Sequence, residues 1–316
     1  MVSENAGATT FRVFPHSYRM LTVQGIYRRL TLAILVPLGF GIFRGGPDAL
    51  VMVIAAVAGA ILADFLATRF VTSVPFDSAG FRAVYFGLAV AALLSPQTSP
   101  LVAAFAAALS VIVGIWFFGG PGRYRVHPAL VGPALLGMAL PGMQALREGG
   151  TARAIPLPAE FIAWMEQVIL EPLGVRVTAD AWALLLGAVG PEGGSLVMGL
   201  IGPILLGSLI LFGEDLLPPV LPFSFLLAYA VLVRLFGGNP LDAVFLTNAP
   251  FVMLFLLADP PVRPATHTGM ALFGVFAGAL GALFWITGEI ALPAVTALFL
   301  AGTFVAVVDS LTTRRL

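Results

Sequence analysis

The chain alternates long apolar runs with short polar turns over most of its length. A helix needs about 20 mainly apolar residues to cross a bilayer. Ten runs approach that length, near 30–46, 49–70, 81–95, 99–118, 127–143, 194–213, 217–236, 243–258, 269–288 and 290–309. They predict an all-α, polytopic membrane protein of about ten transmembrane helices. Several runs are short or interrupted, and Pro37, Pro133, Pro203 and Pro222 fall inside them. Such interruptions predict broken or half helices, which line buried sites rather than face lipid.

Two stretches share a pattern. Leu93-Leu94-Ser95-Pro96 and Leu256-Leu257-Ala258-Asp259-Pro260 each end an apolar run in Leu-Leu, turn at a proline and enter a run rich in small residues. The runs holding Pro37 and Pro203 also correspond in offset. This divides the chain into a cytoplasmic segment 1–29, a first five-helix repeat 30–143, a periplasmic loop 144–193 and a second five-helix repeat 194–316. An odd number of helices per repeat makes the two repeats inverted in topology. The loop contains an amphipathic stretch from Pro158 to Leu170, which predicts a helix lying on the membrane face, with a plain connector as the alternative.

Charge sets the orientation. No lysine occurs, so the 16 basic residues are all arginine. With the N-terminus in the cytoplasm, 11 of the 16 fall inside, including Arg12, Arg19, Arg28, Arg29, Arg314 and Arg315. Arg44, Arg147, Arg153, Arg176 and Arg234 fall outside. The positive-inside rule therefore predicts a bacterial inner-membrane protein with both termini cytoplasmic. No cleaved signal peptide is expected in the polar first 29 residues.

Composition agrees. Hydrophobic residues make up 59% of the chain and charged residues 10%, against about a quarter charged in a soluble domain. Mean hydropathy is +1.01. Lipid is the expected solvent, and a net charge of zero offers nothing to nucleic acid. The absence of cysteine excludes disulfides, iron–sulfur ligation and covalent c-type haem in this chain. An electron carrier held here is then a flavin, a quinone or a His-ligated haem, or it belongs to a partner.

Four places carry candidate chemistry. The turn Phe118-Gly119-Gly120-Pro121-Gly122-Arg123 leads to His127-Pro128-Ala129. Gly120 allows close backbone approach, and Arg123 and His127 suit a phosphate or acidic headgroup, unless this is simply a tight cytoplasmic turn. In the second stretch, Asp259 and Thr266 sit in a rigid proline-rich segment that either re-enters the membrane or is a loop. Third, Gly187, Gly190, Glu192 and Ser195 lead into a helix, which suits an anion, with Glu192 alternatively a cap. Fourth, Asp64 lies within an apolar run and is an ion or proton pathway candidate, unless it pairs with Arg69. His127 and His267 are not embedded mid-helix as haem ligands usually are, and no metal site is expected.

These residues resemble a known family. The chain is similar, from about Pro15 onward, to the D-type membrane subunit of the Rnf electron-transport complex and to its counterpart, the B-type membrane subunit of the sodium-translocating NADH:quinone oxidoreductase. Phe118-Gly119-Gly120 through His127-Pro128-Ala129 resembles the family's glycine turn before Asn-Pro-Ala. Ala258-Asp259-Pro260 with Thr266 and Gly269 is similar to its Thr-Asp-Pro-Val loop. Asp64, the Gly187–Leu196 turn and Asp309 with Thr312 fall where the family has an acid, a glycine turn and a closing Asp-x-x-Thr.

The resemblance implies two inverted five-helix repeats in a membrane component of a multi-subunit redox complex. Such a component relays electrons through flavin or quinone, couples electron transfer to ion movement, or both. Its partners are other membrane and peripheral redox subunits. The alternatives are an inverted-repeat transporter without redox chemistry and a membrane anchor for redox proteins. Family members often carry FMN on a threonine within Ser-Gly-Ala-Thr in a periplasmic loop. Here neither Thr151 nor Thr178 stands in that motif, so Thr178 is only a weak candidate and covalent attachment is not expected. Non-covalent flavin, as FMN or riboflavin, and quinone stay open.

Overall fold

In a computed structural model of the chain, the described residues are 22–71, 80–139, 164, 167–168, 194–245, 247–288 and 292–313. Among them every regular element is helical. In chain order these are α1 (Val23–Val71), α2 (Gly80–Leu93), α3 (Pro100–Val111), α4 (Pro128–Ala139) and α5 (Ile201–Gly213), followed by α6 (Val220–Leu235), the short α7 (Pro240–Phe245) and α8 (Ala249–Phe255), then α9 (His267–Thr287), α10 (Pro293–Gly302) and α11 (Val305–Thr313).

Helix α1 runs for 49 residues, about 70 Å at 1.5 Å per residue and more than twice the hydrocarbon thickness. It does not run straight. Gly46 interrupts it with φ 75° and ψ −163°, a conformation that only glycine adopts without strain. Pro47 follows at the start of the second part, where a missing amide costs nothing. The two runs expected at 30–46 and 49–70 are thus separate helices joined by a one-residue hinge.

The expected all-helical architecture holds among the described residues, while few of the ten apolar runs form a helix long enough to cross a bilayer unbroken. By length and apolarity only Val23–Phe70 and His267–Thr287 qualify among the described residues, and Ala294–Gly302 with Val305–Thr313 qualifies only as a pair bent by 54°, either a broken span or a re-entrant loop. Other runs give shorter apolar helices, such as Phe81–Leu93, Ile201–Gly213 and Ala249–Ala258. The reason is local. The run at 194–213 spends its first residues in turns before Ile201. The run at 243–258 breaks at Thr247-Asn248 and tightens to a 3₁₀ turn at Leu256–Ala258. The amphipathic stretch expected around Pro158–Leu170 lies almost wholly outside the described residues.

Close packing comes from small residues. Gly59 of α1 lies against the Ala104 backbone of α3, and Gly132 of α4 against Ala106 of α3. In the second half, Gly278 of α9 meets the Phe225 backbone of α6, and Gly281 of α9 packs against Tyr229 of α6 and faces Ala297 of α10. Without a hydrophobic driving force between helices in lipid, such backbone approach is what lets them associate. Large apolar side chains face outward, among them Phe70, Leu101, Phe43 and Leu227. A Gly46→Ala variant is expected to lose about 1–3 kcal/mol from the strained hinge alone. A lower Tm of the purified chain in detergent measures it; an unchanged Tm would show that the hinge relaxes.

Candidate functional site

Asp259 is fully buried where the helical path breaks, between the 3₁₀ turns Leu256–Ala258 and Pro260–Val262. Four side chains from the first half close around it. Tyr124 Oη donates to Asp259 Oδ2 at 2.7 Å. Tyr27 of α1 shares a 2.6 Å hydrogen bond with Tyr124 Oη. His127, just before α4, places Nε2 3.9 Å from Asp259 Oδ2. Tyr85 of α2 lies 3.2 Å from the same Nε2 and donates to the Phe255 carbonyl at 3.2 Å. Phe86 packs edge-on against Tyr27, Tyr124 and His127.

The hydrogen bonds fix the histidine tautomer. The Ala129 amide donates to His127 Nδ1 at 3.2 Å, so a neutral ring carries its proton on Nε2. Each polar group of the cage then has a partner except one: Asp259 Oδ1 is buried without any. A carboxylate oxygen left so in an apolar interior favours taking up a proton or a cation.

The glycine turn serves this cage. Gly119, Gly120 and Gly122 all have positive φ, and the Gly120 amide donates back to the Ile115 carbonyl at 3.1 Å. That tight reversal brings Tyr124 and His127 inward, while Arg123 stays exposed. Gly120 is therefore a shaping residue and His127 a lining one. Thr266 caps α9 by accepting from the Gly269 amide at 3.0 Å. Asp309 holds the same loop, accepting from the Ala265 amide at 2.9 Å and pairing with Arg125 at 3.8 Å. His267 is exposed, so the two histidines occupy unlike environments.

Asp64 lies in a second cluster. The expected Arg69 partner is exposed, and Arg82 of α2 takes the carboxylate instead, with Nη2 3.0 Å from Oδ1 and 2.8 Å from Oδ2. Trp116 Nε1 donates to Oδ1 at 3.0 Å. Both oxygens of Asp64 are engaged, unlike those of Asp259. Closeness in sequence pointed to Arg69, five residues on, but the partner came from the next helix.

Ser195 donates to Asn248 Oδ1. Gly187, Gly190, Glu192, Thr151 and Thr178 lie outside the described residues. Among the described residues no group of three His, Cys, Asp or Glu could hold a metal ion. Sequence reasoning missed Tyr27, Tyr85, Tyr124, Arg82 and Trp116. The available signal was tyrosine itself: the chain has 5, and three of them meet at Asp259. A phenol in an apolar helix needs a polar partner.

One buried acid at a helix break and another neutralised by an arginine, within an apolar helical bundle, fit a polytopic membrane protein. The model of the NQR2, RnfD, RnfE family matches residues 10–316, and the chain belongs to that family. A curated relative, the D-type subunit of the ion-translocating oxidoreductase complex of Methanosarcina acetivorans, is 24% identical over 281 residues, covering 87% of this chain and 86% of its own length.

Removing one member of a buried pair leaves an uncompensated charge, which costs about 3–5 kcal/mol. Arg82→Ala is expected to lower the yield of monodisperse protein and its Tm sharply, and Arg69→Ala to change neither. Size-exclusion profiles and thermal unfolding of the two variants check this.

Proposed function

We propose that this chain is the membrane-embedded subunit of an ion-translocating oxidoreductase complex, with the Asp259 cage as the place where it takes up the ion. Family membership and the name of the Methanosarcina relative support the first part. The observation that carries the second is Asp259 Oδ1, fully buried at a break in the helical path and without a partner. Tyr27 and Tyr124 form a hydroxyl chain leading to the other oxygen, and His127 stands 3.9 Å away from it. Binding a cation or proton at Oδ1 offsets the buried negative charge, and hydroxyl reorientation along the chain accommodates its arrival and departure. Asp64 is then a structural acid, since Arg82 already neutralises it.

The wider proposal has ten spans in two inverted five-helix repeats, in a cytoplasmic membrane, with both termini inside. Matching helix contacts support the repeats: the second part of α1 packs on α3 and α3 on α4, as α6 packs on α9 and α9 on α10. Other membrane and peripheral redox subunits are the partners. Flavin or quinone is the proposed electron carrier. A flavin or quinone needs donors for its carbonyls, and FMN also needs a cation for its phosphate. Among the described residues, buried nitrogens with an unspent donor occur at Arg29, Arg44, Arg82 and Asn248. Bound at one of these places, such a group would supply one- or two-electron chemistry that this chain's own side chains lack.

Two measurements test the proposal. A tagged chain purified from its native membrane is expected to bring redox subunits with it; isolation alone from intact membranes sinks the idea that it is part of a complex. In inverted vesicles energised with NADH or dithionite, Asp259→Asn is expected to cut coupled ion uptake at least roughly tenfold while the complex still assembles. Wild-type uptake by Asp259→Asn would place the ion elsewhere.

A further inference from the structure

We infer that Arg44 and Asn248 form a binding site for an oxyanion, a phosphoryl group carried by a lipid headgroup or by a small soluble molecule. The inference is independent of the ion-uptake reading of Asp259.

Arg44 belongs to the end of α1 just before the Gly46 hinge and is only 9% exposed. Its Nη2 donates to two backbone carbonyls, Leu196 at 3.0 Å and Met198 at 2.9 Å. Both are neutral. Among the described residues no carboxylate lies within 4.0 Å of Arg44, and Nη1 is buried with no partner. A guanidinium buried in an apolar setting with only dipoles around it is costly, and an anion is the natural remedy.

A second donor hangs from the same segment. Ser195 Oγ donates to Asn248 Oδ1, which fixes the amide so that Nδ2 is the free end. Asn248 is 3% exposed, and Nδ2 has no partner. The arginine is anchored at Leu196 and the asparagine at Ser195, neighbours about 3.8 Å apart in the chain. The segment is itself rigid, because the Leu196 and Val197 amides donate to Leu94 and Ala92 carbonyls at 2.8 and 3.4 Å. It leads directly into α5, whose N-terminus carries no side-chain cap. The positive end of that helix dipole adds to the guanidinium charge.

Two unspent buried donors, one of them charged, together with a helix N-terminus, match an oxyanion rather than a cation or an apolar molecule. The same donors would reject a ligand lacking acceptors, since they would stay unpaired.

The test uses the full chain purified in a neutral detergent at constant ionic strength. Thermal unfolding is followed while inorganic phosphate replaces chloride, and separately while phosphatidylglycerol replaces diacylglycerol. One arm is expected to raise Tm saturably, by roughly 3 °C or more, and which arm responds identifies the source. Arg44→Gln is expected to abolish the shift and Arg44→Lys to retain part of it. If Arg44→Gln does not purify, Asn248→Ala takes its place, with at least half the shift lost. No saturable shift in the wild type from either titrant overturns the inference. So does a full shift in Arg44→Gln or, where that variant is replaced, in Asn248→Ala.

Discussion

Lipid offers no hydrogen bonds, so every helix that stops inside a bilayer must have its loose backbone groups met by other parts of the protein. Much of this fold answers that demand. Helix α2 stops at Leu93, and the carbonyls of Ala92 and Leu94 are met by the amides of Val197 and Leu196. Helix α8 gives way to 3₁₀ turns, and Tyr85 takes the Phe255 carbonyl. In each case the partner comes from the opposite half of the chain. The two halves are held together where each of them breaks.

The two breaks differ in charge. One has Asp259, a buried acid with a spare acceptor, faced by phenols and an imidazole. The other has Arg44 and Asn248, with spare donors and backbone carbonyls around them. One scaffold thereby leaves an unmet acceptor at one interruption and unmet donors at the other. A third charged group, Asp64 with Arg82, is already neutral as a pair and joins α1, α2 and α3. The buried acids thus divide into Asp64, which braces the bundle with both oxygens engaged, and Asp259, which keeps one oxygen unmet.

The sequence told much about the scaffold and less about the site. Apolar runs located nearly every helix, because lipid selects for them directly. Proline and glycine marked the breaks, and the paired Leu-Leu-turn-proline stretches pointed to Asp259 and to the Leu94 region. Span lengths were not legible, since a run such as 194–213 stays apolar whether it is helix or buried turn. Partners were not legible either. Asp64 has Arg69 close by in sequence, yet Arg82 reaches it, because α2 folds back against α1. Arg44 read as an outside charge, while it lies buried against Leu196, far along the chain. Tyr27, Tyr85 and Tyr124 share no spacing, and only the tertiary fold brings them together.

Helix α3 does not end as a regular α-helix. From Ile112 to Trp116 it widens to a π-type turn, and the Phe117 amide bonds to Ile112 five residues back. Such a turn is an α-helix with one residue inserted. The wider turn spreads five residues over roughly the rotation that four take in an α-helix at about 100° each, so the extra residue is absorbed locally. The Trp116 indole keeps its aim at Asp64, and the Gly119–Gly122 reversal starts where a regular helix one residue shorter would have placed it. A relative one residue shorter at this point would keep the same register by running a plain α-helix here.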